Sequence, residues 1–245
     1  MEKYVINNLF EFWKYIGVQS NSLYQKDGFS IVSTPDSSWP DKIFDLDVKA
    51  INFNLLNQEL NKNHRPNSFV LSSTMAHLIG GGYEQSSSLE AMVLELLYTP
   101  DWDIPEPGIV EVTDKQGAFH FAQISTRAFG YHVSPNTIEA LFGQSPKIKM
   151  YIGIEQGVYA STGMLFLDSN GYSGLHMIGT LPNYQGRGLG KRMTLKLLAE
   201  AVQNKSEKAV LVASKAGAHI YKKLGFKSYG TVDSFSVKQV IETYK

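Results

Sequence analysis

Three glycines fall within five residues of Gln185-Gly186-Arg187-Gly188-Leu189-Gly190. That segment stands between a strand-like run and a stripe of Leu189, Met193, Leu197, Leu198 and Ala201 at helical spacing. A chain that turns through glycine from a strand straight into a helix presents the helix's first backbone amides and the positive end of its dipole, a combination that binds phosphate. Arg187, Lys191 and Arg192 add positive charge at the same place. Spacing excludes two common phosphate motifs. A G-x-G-x-x-G run begun at Gly186 needs glycine at 191, where Lys191 stands; the P-loop needs glycine at 185 and a hydroxyl at 192, where Gln185 and Arg192 stand. A tight turn without a ligand is the alternative reading of the glycines alone.

The elements around this loop are legible. Ile109 to Val112 reads as a strand, and Lys115 to Phe129 and Ser134 to Phe142 as helices, the second opened by the N-cap residue Ser134. Lys149 to Ile154, Val158 to Leu167 and Gly174 to Thr180 read as strands of a meander, the last two joined through the Asn170-Gly171 turn. After the glycine loop come the helix, a buried strand Ala209 to Ala213, a short helix Ala216 to Leu224 and a final strand Ser228 to Val237. This order predicts an α/β or α+β layered fold with mixed strand directions. Three prolines and a glycine between Thr99 and Gly108 read as a linker, which divides the chain into residues 1–108 and 109–245. The polar stretch from Gly80 to Ser88 reads as a loop.

Charge follows the same division. Residues 1–108 hold 7 lysines and arginines against 14 aspartates and glutamates, net −7; residues 109–245 hold 16 against 9, net +7. A basic half suits nucleic acid, an anionic membrane surface or a polyanionic small ligand. Its cations are interleaved with core positions, with no recognition helix or stacking aromatics, which disfavours nucleic acid. The charged residues Glu2, Lys3, Glu11 and Lys14 interrupt the start of the chain, and no apolar run is long enough for a membrane span, so a cytoplasmic protein without a membrane partner is expected. There is no cysteine, which removes disulfides and thiolate chemistry, and no metal is called for. Nothing in the sequence fixes an oligomeric state.

Gln185-x-x-Gly188-x-Gly190 resembles the Arg/Gln-x-x-Gly-x-Gly/Ala signature of the GCN5-related N-acetyltransferase superfamily, and Gly179 to Tyr184 resembles that family's run into its loop. A second block, Ala213 to Phe226 with Tyr221 and a closing Gly225-Phe226, is similar to the family's tyrosine-bearing helix. The resemblance covers about residues 109–238. It implies a mixed, mostly antiparallel sheet flanked by helices, acetyl-CoA as cosubstrate and an amine acceptor, a small molecule or a peptide. It further implies pantetheine against Ile178, Gly179 and Thr180, and pyrophosphate on the loop from Gln185 through Gly186, Arg187, Gly188 and Leu189 to Gly190. Ser214 and Lys215 are expected near the far end of the cofactor. The first half, from Ser38-Trp39-Pro40 to Leu96, is similar to the degenerate N-terminal part of two-part members, an unrelated binding module being the alternative.

Acetyl transfer to an amine needs a polarised carbonyl, a neutral nucleophile and an acid for the leaving thiolate. The resemblance assigns the acid to Tyr221 and the polarising amide to Ile178. His176 is the candidate base: two-residue periodicity puts it on the face of Ile178, and an ordinary imidazole titrates near neutrality. Asp168 and Glu155 are badly placed for that role. His120 and His132 lie in the two-helix region that, by the resemblance, walls the acceptor site. A non-catalytic acyl-CoA sensor would keep the loop without needing Tyr221 or a base.

Overall fold

The computed structural model describes residues 1–62, 66–97, 108–143 and 145–238. The expected linker falls largely outside the described residues. An N-terminal helix, α1 (Glu2–Gln19), precedes β1 (Leu23–Lys26), β2 (Phe29–Ser33), β3 (Asp41–Phe44), α2 (Phe53–Leu60), β4 (Phe69–Ser72) and β5 (Tyr83–Glu95). The second half supplies β6 (Ile109–Glu111), α3 (Lys115–Phe129), α4 (Pro135–Glu139), β7 (Ile148–Glu155), β8 (Val158–Leu167) and β9 (Ser173–Thr180). It ends with α5 (Leu189–Gln203), β10 (Lys208–Ala213), α6 (Lys215–Lys223) and β11 (Lys227–Val237).

All eleven strands form one sheet in the order β1-β2-β3-β4-β11-β5-β10-β9-β8-β7-β6, antiparallel except for the pairs β3/β4 and β9/β10. Each half repeats one pattern: a three-stranded meander, a helix, and a strand parallel to the last of the meander. The terminal strands are then exchanged. β5 of the first half pairs with β10 of the second, β11 of the second pairs with β4 of the first, and β5 and β11 pair with each other at the centre.

Alternation along the strands sorts side chains to two faces. Val32, Phe44, Val70, Ala91, Val93 and Val232 pack under α1, which buries Val5, Leu9, Phe12, Trp13 and Ile16 at spacings of three and four, and α3 covers the same side beside β7 to β9. On the opposite side Leu165, Leu175, Leu211 and Met92 pack under α5 through Met193, Leu197 and Leu198, while α2 covers β2 to β4.

The second-half elements lie where the sequence places them, with α4 ending at Glu139 rather than Phe142. One reading is corrected. Tyr83 to Ser88 is not loop but the first part of β5, its backbone paired with β11 from Val237 back to Asp233. A ladder can hold a serine-rich strand that has no apolar alternation, because the hydrogen bonds are backbone and only one side needs burial. Among the described residues no helix is long and apolar enough to cross a membrane.

Candidate active site

β9 and β10 are paired over only two positions, Ser173 with Ala209 and Gly174 with Val210. Beyond them β9 stays with β8 as far as Thr180, and β10 stays with β5 as far as Ala213. The parallel strands therefore splay into a V, and among the described residues the β9 edge beyond Gly174 has no strand partner. Tyr221 of α6 and the Ser214 cap of that helix stand at this opening with Ile178, in one cleft of about 700 Å³.

The edge is irregular where the chemistry is expected. Between Met164↔His176 and Thr162↔Gly179, β9 carries one residue more than β8, and Met177 takes a left-handed φ of 50°. The bulge gives Met177 and Ile178 no partner residue on β8. It also breaks the alternation. Leu175 and Ile178 pack with the α5 side, whereas Met177 packs with the α1 side and His176 stacks on Phe12 at 4.1 Å. The expectation that His176 shares a face with Ile178 is corrected: a one-residue insertion has reversed the parity.

His176 is buried, and its Nε2 lies 3.0 Å from Asn8 Oδ1 on α1. Desolvation pushes its pKa down to about 3, so the ring is neutral at physiological pH. Asp168, distant along the hairpin, belongs to the same network, since Asn8 Nδ2 donates to Asp168 Oδ2 at 3.0 Å. Gly174 makes the arrangement possible: a Cβ there would fall on the Asn8 amide and on His176 Nε2.

The glycine loop enters α5 with Gly188 as N-cap residue, at a left-handed φ of 82°, after Gly186 at 77°. A Cβ at either position would meet nothing within 4 Å, so the space above the loop is open. The amides of Leu189, Gly190 and Lys191 are the helix's unpaired first donors. Leu189 directs its side chain into the core, 3% exposed, and thus offers only its backbone to a ligand. Gln185 Nε2 donates to Thr180 O at 3.4 Å and ties the loop to β9. Arg187 is exposed over the Tyr184 ring, while Arg192 turns back to Glu155 at 3.1 Å. Gly179 packs under Phe129 of α3, and Thr180, half-buried, closes β9. Ser214 Oγ caps α6 by accepting from Gly217 N at 3.2 Å, and Lys215 is exposed beside it.

Tyr221 is half-buried against Phe226, and burial pushes its hydroxyl up to about 12. The histidines expected to wall the acceptor side do not. His120 pairs with Gln116 and packs on Tyr159, and His132 lies at the mouth of a separate groove. Phe129 and Tyr131 line the cleft instead, together with Trp39 and Lys42 of the first half and Phe12 and Trp13 of α1. The apolar period of α1 is visible in the sequence; that it roofs the cleft is not.

Residues 147–228 match the model of the acetyltransferase (GNAT) domain family. No curated protein matches significantly. Among solved structures the chain is similar to a GCN5-related N-acetyltransferase from Kribbella flavida, at 17% identity and a TM-score of 0.68 over 96% of both chains. It is also similar to a GNAT-family structure from Novosphingobium aromaticivorans, at 16% identity and a TM-score of 0.65 over 96% of this chain and 97% of that one. A third is a GCN5-related N-acetyltransferase from Sphaerobacter thermophilus, at 12% identity and a TM-score of 0.58 over 95% of this chain and 90% of that one. These likenesses concern the fold, and they run through both halves. The glycine loop, the splayed strands and the tyrosine helix all lie inside residues 147–228, the segment that matches the acetyltransferase (GNAT) domain model, and the chain as a whole shares the fold of the GNAT structures.

Proposed function

We propose that the protein transfers an acetyl group from acetyl-CoA to an amine. The observation that carries this reading is the V between β9 and β10, which has open amides of the glycine loop on the α5 side and Tyr221 beside Ile178 within the cleft. The residues fit the cosubstrate. Empty space over Gly186 and Gly188 meets three unpaired helix amides, as a pyrophosphate requires, and the free edge of β9 offers a ladder to an amide-bearing arm.

Bound there, acetyl-CoA supplies an activated acetyl thioester. The protein's own groups do the rest. Ile178 lies at the bulge, outside the β8 ladder, and its amide serves as the donor that polarises the carbonyl. Tyr221, with its pKa raised to about 12, keeps its proton throughout the physiological range and delivers it to the leaving sulfur as the C–S bond breaks, and the proton released by the acylated nitrogen restores the tyrosine hydroxyl. His176 changes role: a ring neutral down to about pH 3 is a poor acceptor for an ammonium proton, so it orders the cleft as a hydrogen-bonding group, and the amine is taken as the free base. The first half reads as an acetyltransferase-like copy that has kept the strand pattern, lost the glycine loop and become the acceptor wall.

The test is a thermal melt with acetyl-CoA, followed by thiol release in the presence of polyamines, aminoglycosides, amino acids and peptides. Stabilisation together with thiol release on one amine class supports the reading. Stabilisation without release on any of them favours a sensor, and a folded sample with no melting shift refutes cofactor binding.

A further inference from the structure

The cleft does not end at the thioester position. It continues as a trough across the α1 side of the sheet, with Val212 of β10, Leu89 and Ser87 of β5, Ser234 of β11 and Val70 of β4 along its floor. Its far end is Lys42 of β3. The cross-strand neighbour of Lys42 is Val32, part of the core under α1, so the lysine points to the trough side. It is half-buried, its Nζ donates to Ser68 Oγ at 2.9 Å, and among the described residues no carboxylate forms an ion pair with it. Desolvation lowers its pKa, and the attraction of the neighbouring Asp41 carboxylate offsets only part of that effect.

Four strand spacings separate β3 from β10, which at about 4.8 Å each puts Lys42 on the order of 20 Å from the β10 side of the V. That is too far for proton transfer to the reacting amine. It is a suitable distance for holding the other end of an elongated acceptor. Resting on the acetyltransferase reading above, we infer that the acceptor is an extended primary amine with an anionic group at its distal end, which Lys42 binds while the amine reaches the V. Trp39 and Trp13 beside the trough suit an apolar or amide-bearing middle. A short peptide with a free N-terminus and a C-terminal carboxylate has this chemistry. At roughly 3.4 Å per residue, and allowing for the reach of the lysine side chain, about four or five residues bridge the trough.

The probes are peptides of two to six residues with a free N-terminus, each made as the C-terminal acid and as the amide, with thiol release measured on the full chain. For wild type the acid should exceed the amide in kcat/KM by ~10-fold or more once the peptide has about four residues, with no preference for dipeptides. In Lys42→Met the ratio should fall to about one at every length, and Lys42→Arg should restore part of it. The acetyl-CoA melting shift of each variant reports its fold. A wild-type ratio near one at all lengths, a ratio unchanged in Lys42→Met, or acetyl-CoA binding without turnover of any peptide overturns this inference and leaves cofactor binding standing. Failure to bind acetyl-CoA overturns both.

Discussion

Asn8 in the first helix and His176 in β9 share a 3.0 Å hydrogen bond whose polarity is fixed by what lies on the other side of the amide. Asn8 Nδ2 is committed to two acceptors, Asp168 Oδ2 at 3.0 Å and the Tyr172 carbonyl at 3.3 Å. Oδ1 therefore faces the imidazole and must receive a proton, so His176 is the Nε2–H tautomer and Nδ1 is left as the lone-pair nitrogen. Helix α1 thus sets the protonation pattern of a residue in the cleft of the other half.

Breaking that contact should cost stability before it costs chemistry. Gly174→Ala forces a methyl group into the space of the Asn8 amide and His176 Nε2, and Asn8→Leu removes the side-chain partner of both Asp168 Oδ2 and His176 Nε2. Each variant should lose on the order of 1–3 kcal/mol in urea unfolding, the usual cost of an unpaired buried polar group or an overpacked core. Wild-type stability in both variants would show the network to be dispensable.

The depressed pKa of His176 has a definite sign in stability. The folded ring resists protonation down to about pH 3, while the unfolded one binds a proton near 6.5, so below that pH the unfolded state holds more protons and folding weakens on acidification. The contribution is fully present above pH 6.5 and drains away toward pH 3. Asp168, whose carboxyl is raised by desolvation, acts in the opposite sense at the acid end, so the comparison to make is between variants. His176→Gln should flatten the fall in stability between pH 6 and about 4; an unchanged slope would place the acid sensitivity elsewhere.

Tyr221→Phe keeps the ring against Phe226 and removes only the hydroxyl. Acetyl-CoA affinity should stay within about two-fold while turnover falls by ~10²–10⁴-fold, the range of general acid assistance. With the hydroxyl held near pH 12, the wild-type rate should also show no basic limb from this residue below about pH 11. Full turnover in the phenylalanine variant removes Tyr221 from the mechanism.

At Gly188 two effects of a side chain can be separated. Gly188→Val meets a left-handed backbone but no protein atom, and so does Gly171→Val in the turn before β9, at φ 78°. Both should lose about 1–2 kcal/mol of stability. Only the Gly188 variant should lose acetyl-CoA affinity, by ~10-fold or more, because its side chain occupies the place proposed for phosphate. Equal affinity in the two would make the loop a turn and nothing else.

Residues 109–238 produced alone should fail to fold cooperatively. They lack β5, which separates β10 from β11 in the sheet, so Leu211 and Val210 would sit on an unpaired strand and β11 would lose its long partner. A sharp calorimetric transition in that fragment would show the exchange of strands to be unnecessary.

What the sequence discloses tracks where the physics is local. Loop, caps and helical stripes of the second half are short-range patterns, and Asp114, Ser134 and Ser214 cap their helices as such residues should. The bulge at Met177 leaves no compositional trace, since one inserted residue in an apolar strand looks like any other, and simple alternation therefore puts His176 on the wrong face. The lining of the cleft is illegible for a different reason: Trp39, Lys42 and Phe129 meet only through pairings between distant strands. Likewise Tyr83 to Ser88 has the composition of a loop and becomes a strand only when β11 arrives.

That late arrival bears on how the chain is made. Ser88 is synthesised 145 residues before Asp233, whose carboxylate receives its hydroxyl, so during synthesis the central strand of the sheet waits with both edges open. Contacts of such separation form slowly, and an exposed strand edge in the meantime recruits other chains. The run Glu84-Gln85-Ser86-Ser87-Ser88 is poorly suited to that recruitment, being polar, exposed and without apolar alternation. The same composition that conceals this strand from a reader of the sequence conceals it from neighbouring nascent chains until its own partners emerge.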